Sequence, residues 1–213
     1  IRKVPTPLLR DLAHQLELPL AATLDADQPT ATDDIYGSWQ ELTESERTRL
    51  ESATRQIDEV ANSDGVRLMV EVSAQRGPDL EAAFEVLGGF HDKAAYCYLH
   101  HPQIFAAAHR LRRTEDLPSY RWVVRRNDVP THEPRTDQEA LCALARATGE
   151  LFHATGQGRG CVVEHEELPD RRHYFFCYSE GYGERLLEFE EGLLNARLHR
   201  PAFEVVFLYL PEE

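Results

Sequence analysis

The chain has 213 residues, enough for one large domain or two small ones, and enough to bury a core without disulfide or metal staples. Acidic residues outnumber basic ones 37 to 23, and the net charge of −14 favours solubility and argues against a surface that coats nucleic acid globally. No apolar run reaches the roughly 18 residues of a membrane-spanning helix, so none is expected.

The N-terminal stretch "IRKVPTPLLRDL" is neither a signal peptide nor a transit peptide. Residues 21–40, polar and rich in Asp and Thr, read as a loop. Thr43 followed by Glu46 forms a capping box, and Leu50, Ala53, Ile57, Val60 and Ala61 then recur at helical spacing. Val66, Leu68, Val70 and Val72 alternate with Arg67, Met69 and Glu71, a pattern open to either a short strand or the start of a helix. A helix is expected from Asp79 to Leu87, broken at Gly88–Gly89, and another from Phe90 to His100. Pro102 suits the first turn of a third, whose apolar stripe is Ile104, Phe105, Ala108 and Leu111.

The texture changes near Pro118. "YRWVVRR" (residues 120–126) alternates as a strand does, and "NDVPTHEPRTD" reads as a loop. A second capping box, Thr136 with Glu139, opens a helix with Leu141, Leu144, Ala145, Thr148, Leu151 and Phe152 on its buried face. "GQGRG" at 156–160 follows a helix and precedes a strand, the reverse of a phosphate-binding loop, and reads as a helix end and a turn. Strands follow near 160–167, 171–178, 185–190, 193–199 and 202–210, an antiparallel meander. The expected fold class is α+β: a mainly helical region over 1–117, then over 118–213 a helix with a four- to five-stranded antiparallel sheet. The C-terminal "FEVVFLYLPEE" stops after an apolar strand, as a cut inside a longer protein would.

Chemistry-bearing residues concentrate in three places. In "CVVEHEELPDRRHYFFCY" (161–178), a three-residue turn at Leu168–Asp170 would set Cys161 opposite Cys177, His165 opposite His173 and Glu166 opposite Arg172. Cys161 and His165 are four residues apart along a strand, about 13 Å, too far for one zinc whose ligands stand at about 2.0–2.3 Å. The plainer reading makes Cys161, Val163, Phe175 and Cys177 core, with the two histidines at the wet end near the turn. In "FHDKAAYCYLHHP" (90–102), His91–Asp92 and the trio Cys97, His100 and His101 are possible ligands. Pro102, however, draws His101 out of helical geometry, and Cys97 shares an apolar face with Phe90 and Ala94. The third place, residues 110–126, carries six Arg against Glu115 and Asp116, with Tyr120 and Trp122 interleaved. That composition suits phosphates and stacked bases, although an acidic protein also offers many internal partners. The alternating acids Glu164/Glu166 and Glu188/Glu190 read as solvated sheet faces.

Four cysteines (Cys97, Cys142, Cys161, Cys177) without a C-x-x-C or a secretory signal imply reduced thiols and a cytoplasmic setting. No nucleotide-binding, zincin or hydrolase motif is present, and no cofactor is implied. The leading expectation is an interaction or regulatory domain of a larger protein without catalysis of its own, its partner another protein or the rest of a longer chain. One alternative is a metal-dependent hydrolase or nuclease using His91, Asp92, His165 and His173. The other is weak binding of a polyanion or single-stranded nucleic acid through Arg112, Arg113, Arg121, Trp122 and Arg125. No membrane partner is expected.

Overall fold

The computed structural model describes residues 6–19, 32–115, 132–190 and 192–210. The chain divides into two compact units, Ile1–Trp122 and Val123–Glu213. Among the described residues there are eight helices followed by five strands, so the class is α+β with an antiparallel sheet. No helix among them is long and apolar enough to cross a membrane.

The first unit is helical: α1 Thr6–Gln15, α2 Thr32–Glu41, α3 Glu44–Val60, α4 Ser63–Arg76, α5 Leu80–Glu85, α6 Phe90–His100 and α7 Pro102–Glu115. Helix α2 occupies part of the stretch expected as a loop. α3 opens on the expected capping box: Glu46 N–H donates to Thr43 Oγ1 at 3.3 Å and Thr43 N–H to Glu46 Oε2 at 2.8 Å. Those bonds to Thr43 hold the Glu46 carboxyl below its ordinary range.

The ambiguous stretch at 66–72 is helical, and its ends decide it. Asn62 Oδ1 accepts from Gly65 N–H at 2.9 Å at the start of α4, and Gly77 closes it with φ 101°. On that helix Leu68, Met69 and Val72 face the core, a spacing that strand alternation would have split. α4 packs chiefly on α7, where Ile104, Phe105, Ala108 and Leu111 are buried as expected, together with Ala107. α1 contributes Leu9, Leu12 and Ala13, one turn of apolar stripe, and lies against α6. On α6, Cys97 and Ala94 are buried but Phe90 is exposed.

The second unit holds α8 Gln138–Ala154, β1 Cys161–Glu167, β2 His173–Glu180, β3 Glu184–Glu190, β4 Leu193–His199 and β5 Ala202–Tyr209. The cap of α8 is Asp137 rather than Thr136: Asp137 Oδ1 accepts from Ala140 N–H at 3.0 Å while Arg135 grips the same carboxylate. A carboxylate at that position also answers the positive end of the helix, which a hydroxyl does less well. Gly156, with φ 93°, turns the chain out of α8, and Gly160 then bonds to Glu180 across the sheet, so the Gly-rich stretch is a helix end running into a strand.

The strand order is β1-β2-β5 in one sheet and β3-β4 in a second. This corrects the expected meander, because β5 returns to pair with β2 and not with β4. The β2–β5 ladder continues past Glu180↔Ala202 through Gly181 N–H to Pro201 O at 2.8 Å. Pairing then resumes at Glu184↔His199. Tyr182 and Gly183 thus stand against Arg200 alone, a β-bulge, and Tyr182 Oη is tied to the Thr155 carbonyl at 2.8 Å.

On one face of the three-stranded sheet, Cys161, Val163, His165 and Glu167 align with Ser179, Cys177, Phe175 and His173 and with Phe203, Val205, Phe207 and Tyr209. Helix α8 covers part of this face: Phe152 meets Phe203 edge-on at 4.7 Å, and Thr148 hydrogen-bonds the Cys177 thiol. Of the helix positions expected inside, Leu151 is exposed. On the other face Tyr174, Phe176 and Glu166 are buried, so Glu166 is not part of a solvated face.

Candidate functional site

The hairpin that carries the histidines differs in register from the sequence expectation. The loop is Pro169–Asp170–Arg171, with Arg171 N–H donating to Leu168 O and Leu168 N–H to Arg172 O, both at 2.9 Å. Pro169 and Asp170 are the two corners of the turn that this Arg171–Leu168 bond closes, and Arg171 takes the left-handed position at φ 63°, its side chain paired with Glu133. The three-residue loop therefore sits one residue later than expected, and every pair shifts by two. Cys161 faces Ser179, Cys177 faces Val163, His165 faces Phe175 and Glu166 faces Tyr174. A shift of two preserves the faces, so the two histidines still share one side of the sheet, as diagonal neighbours.

His165 Nε2 and His173 Nδ1 are 3.1 Å apart, with the rings stacked at 5.3 Å. Phe175 lies 4.9 Å from His165, and Tyr209 6.3 Å from His173. His173 is not at the wet end of the hairpin: it is 3% exposed, and its Nε2 lies 3.6 Å from Glu133 Oε2. Tyr209 Oη donates to the His132 carbonyl at 2.7 Å, which fixes that segment beside the pair. One imidazole must donate and the other accept for the contact to hold, so the two rings cannot both be protonated in this arrangement. Burial first, and then His173, hold His165 below its ordinary pKa, while Glu166 and Glu167 pull the other way.

A stability consequence follows. A histidine with a lowered native pKa resists protonation, whereas the unfolded chain takes a proton as pH falls below about 6.5. Stability is therefore expected to fall with pH from neutrality into that window, and His165→Asn is expected to flatten the dependence by up to one proton. Melting curves at pH 7.5 and 5.5 check this; equal slopes in both proteins would show that His165 titrates normally.

Cys97 and Cys177 are buried, Cys161 is half-buried and Cys142 is exposed. All four are free. Burial pushes the Cys177 thiol up to about 11 and the Cys97 thiol up to about 12, so neither is an activated nucleophile. His91 and Asp92, paired in the sequence reading, point to different partners: His91 Nε2 meets Asp58 Oδ1 at 3.0 Å, and Asp92 Oδ2 accepts from Gly89 N–H at 3.2 Å. His91 and Asp92 belong to the first unit, and His165 and His173 to the second. Among the described residues no three His, Cys, Asp or Glu side chains are grouped as a metal site requires. Arg112 and Arg113 lie in the last turn of α7, while Arg121, Trp122 and Arg125 fall outside the described residues. A cleft of about 400 Å³ is lined by Arg146, Glu150, His153, Ala154 and Arg159, all of them exposed.

The β3–β4 ribbon lies where strands were expected near 185–190 and 193–199, but sequence reasoning missed its open apolar face. Its register places Arg185, Leu187 and Phe189 of β3 beside Leu198, Ala196 and Leu194 of β4 on one face. Glu184, Leu186 and Glu188 lie with His199, Arg197 and Asn195 on the other, where His199 Nε2 meets Glu188 Oε1 at 2.8 Å. The first face is apolar and open: Leu187 is 69% exposed, Phe189 78%, Leu194 56% and Leu198 64%. With Leu186 and Leu193, the ribbon holds six of the thirteen exposed large apolar side chains among the described residues, a cluster and not scatter. Alternation within "ERLLEFE" and "LLNARLH" contains the signal, but only the cross-strand register joins the two halves.

Compared with protein-family models, with curated proteins and with solved structures, the chain matches none.

Proposed function

We propose that this chain is an interaction domain: it acts by docking a protein on the apolar face of the β3–β4 ribbon, without chemistry of its own. The observation that carries this reading is the open face of Leu187, Phe189, Leu194 and Leu198. Apolar side chains at such exposure remain in water unless something covers them, and contiguous patches of this kind mark binding surfaces. The opposite face mixes exposed Leu186 and Leu193 with Glu184, Arg197, Asn195 and the Glu188–His199 pair, so the unbroken apolar surface lies on the Leu187–Phe189 side. The histidine pair enters this reading as part of the scaffold.

The test has two parts. At concentrations low enough to keep the chain monomeric, Leu187→Ser with Phe189→Ser is expected to change unfolding free energy by no more than about 0.5 kcal/mol. A loss above about 2 kcal/mol would mean that the chain itself covers this face. A photo-crosslinking side chain at position 189 is expected to yield a discrete protein adduct in cells, and the same group at position 188 on the opposite face none. If no position on the apolar face gives an adduct, the reading is wrong.

A further inference from the structure

We infer that the protein docked on this face is a second copy of the same chain, two ribbons packing face to face about a two-fold axis; the inference rests on the interaction-domain reading above. A two-fold interface must be complementary to itself, and the ribbon meets that condition. Its apolar face has three rungs: Arg185/Leu198, Leu187/Ala196 and Phe189/Leu194. An axis along the middle rung lays Leu187 on Leu187 and Ala196 on Ala196, and sets the first rung of each copy over the third rung of the other. Leu198 then meets Leu194, and the guanidinium of Arg185 meets the ring of Phe189, a favourable cation–π pairing. The one charged side chain on the face thereby gains a partner. An axis along the strands would instead set Arg185 over Leu198, which offers a cation nothing.

Two further observations agree. Neither outer edge of the ribbon pairs with another strand among the described residues, so beyond the bulge the ladder is only two strands wide and gains stability when a further layer covers its apolar side. The four large side chains and their neighbours would bury about 500 Å² per copy, hence about 1,000 Å² in the pair, the lower bound for a specific association. The acids Glu184 and Glu188 lie on the opposite face, away from the interface. The net charge of −14 on each copy still opposes association at a distance, so added salt, by screening that repulsion, is expected to tighten the dimer.

Sedimentation equilibrium on the full 213-residue chain tests this. The mass is expected to rise from 24.4 kDa towards twice that value with concentration, and to do so more readily in added salt. Phe189→Glu is expected to raise the dimer dissociation constant more than about tenfold, and Glu188→Gln, on the opposite face, to leave it within about twofold. A dimer that ignores Phe189→Glu would place the contact elsewhere and overturn the inference. A chain that stays monomeric while position 189 crosslinks to a different protein would overturn the second copy but keep the interaction-domain reading. A monomer with no adduct at all would overturn both.

Discussion

Replacing Phe176 by alanine is expected to remove about 3–5 kcal/mol from the stability of the second unit. Phe176 is fully buried on β2, the central strand, between Glu164 of β1 and Val206 of β5. Its ring lies 6.2 Å from that of Tyr174, so truncation removes both its own burial and an aromatic neighbour's contact. A cavity enclosed by paired strands relaxes little, which places the cost in the upper part of that range. Urea unfolding followed by near-ultraviolet circular dichroism measures it, with Phe176→Leu as the milder comparison. A loss below about 1 kcal/mol would show that this side of the sheet admits water.

The second large effect is expected at Gly65. Inside a helix, alanine is ordinarily better than glycine by about 0.5–1 kcal/mol. Gly65 in the first turn of α4 reverses the sign. A Cβ there would overlap the carbonyl oxygen of Val60 and stand 2.8 Å from its carbonyl carbon. The obstacle is backbone at the end of α3, where Val60 is itself buried, so no side-chain rotation relieves it. Gly65→Ala is therefore expected to cost about 3 kcal/mol, with thermal unfolding as the readout. An unchanged or raised melting temperature would mean that the α3–α4 turn can open at little cost.

The contrast between these sites bears on what the sequence could reveal. The capping box at Thr43 is legible because its two residues are three apart and answer only to each other. Residues 66–72 are ambiguous because their alternation is a strand's and their caps are a helix's; Asn62 and Gly77, both local, settle it. Helix α2 is hidden by Asp- and Thr-rich composition that reads as a loop. On the hairpin, the sharing of a face by His165 and His173 survives a two-residue error in register, because faces depend only on odd and even spacing. The register itself is not legible, since it depends on a non-glycine residue, Arg171, in the left-handed region. The burial of His173 depends on a segment 40 residues earlier in the chain, around Glu133. The ribbon's apolar face shows the same division: each strand's alternation is written locally, but its exposure is decided by what the rest of the fold leaves uncovered.

The return of β5 to the side of β2 has a consequence for synthesis on the ribosome. When β2 has emerged, its neighbour on one side, β1, is already present, but its neighbour on the other is not made until Ala202–Tyr209. At about 5–20 residues per second the interval lasts on the order of seconds. Throughout it, the strand that carries Phe175, Phe176 and Cys177 offers an open hydrogen-bonding edge, with the apolar ribbon emerging beside it. An open edge of this composition is a template for mispairing between nascent chains, so crowded polysomes and slow codons between residues 180 and 202 are the conditions under which this protein would be most exposed to aggregation.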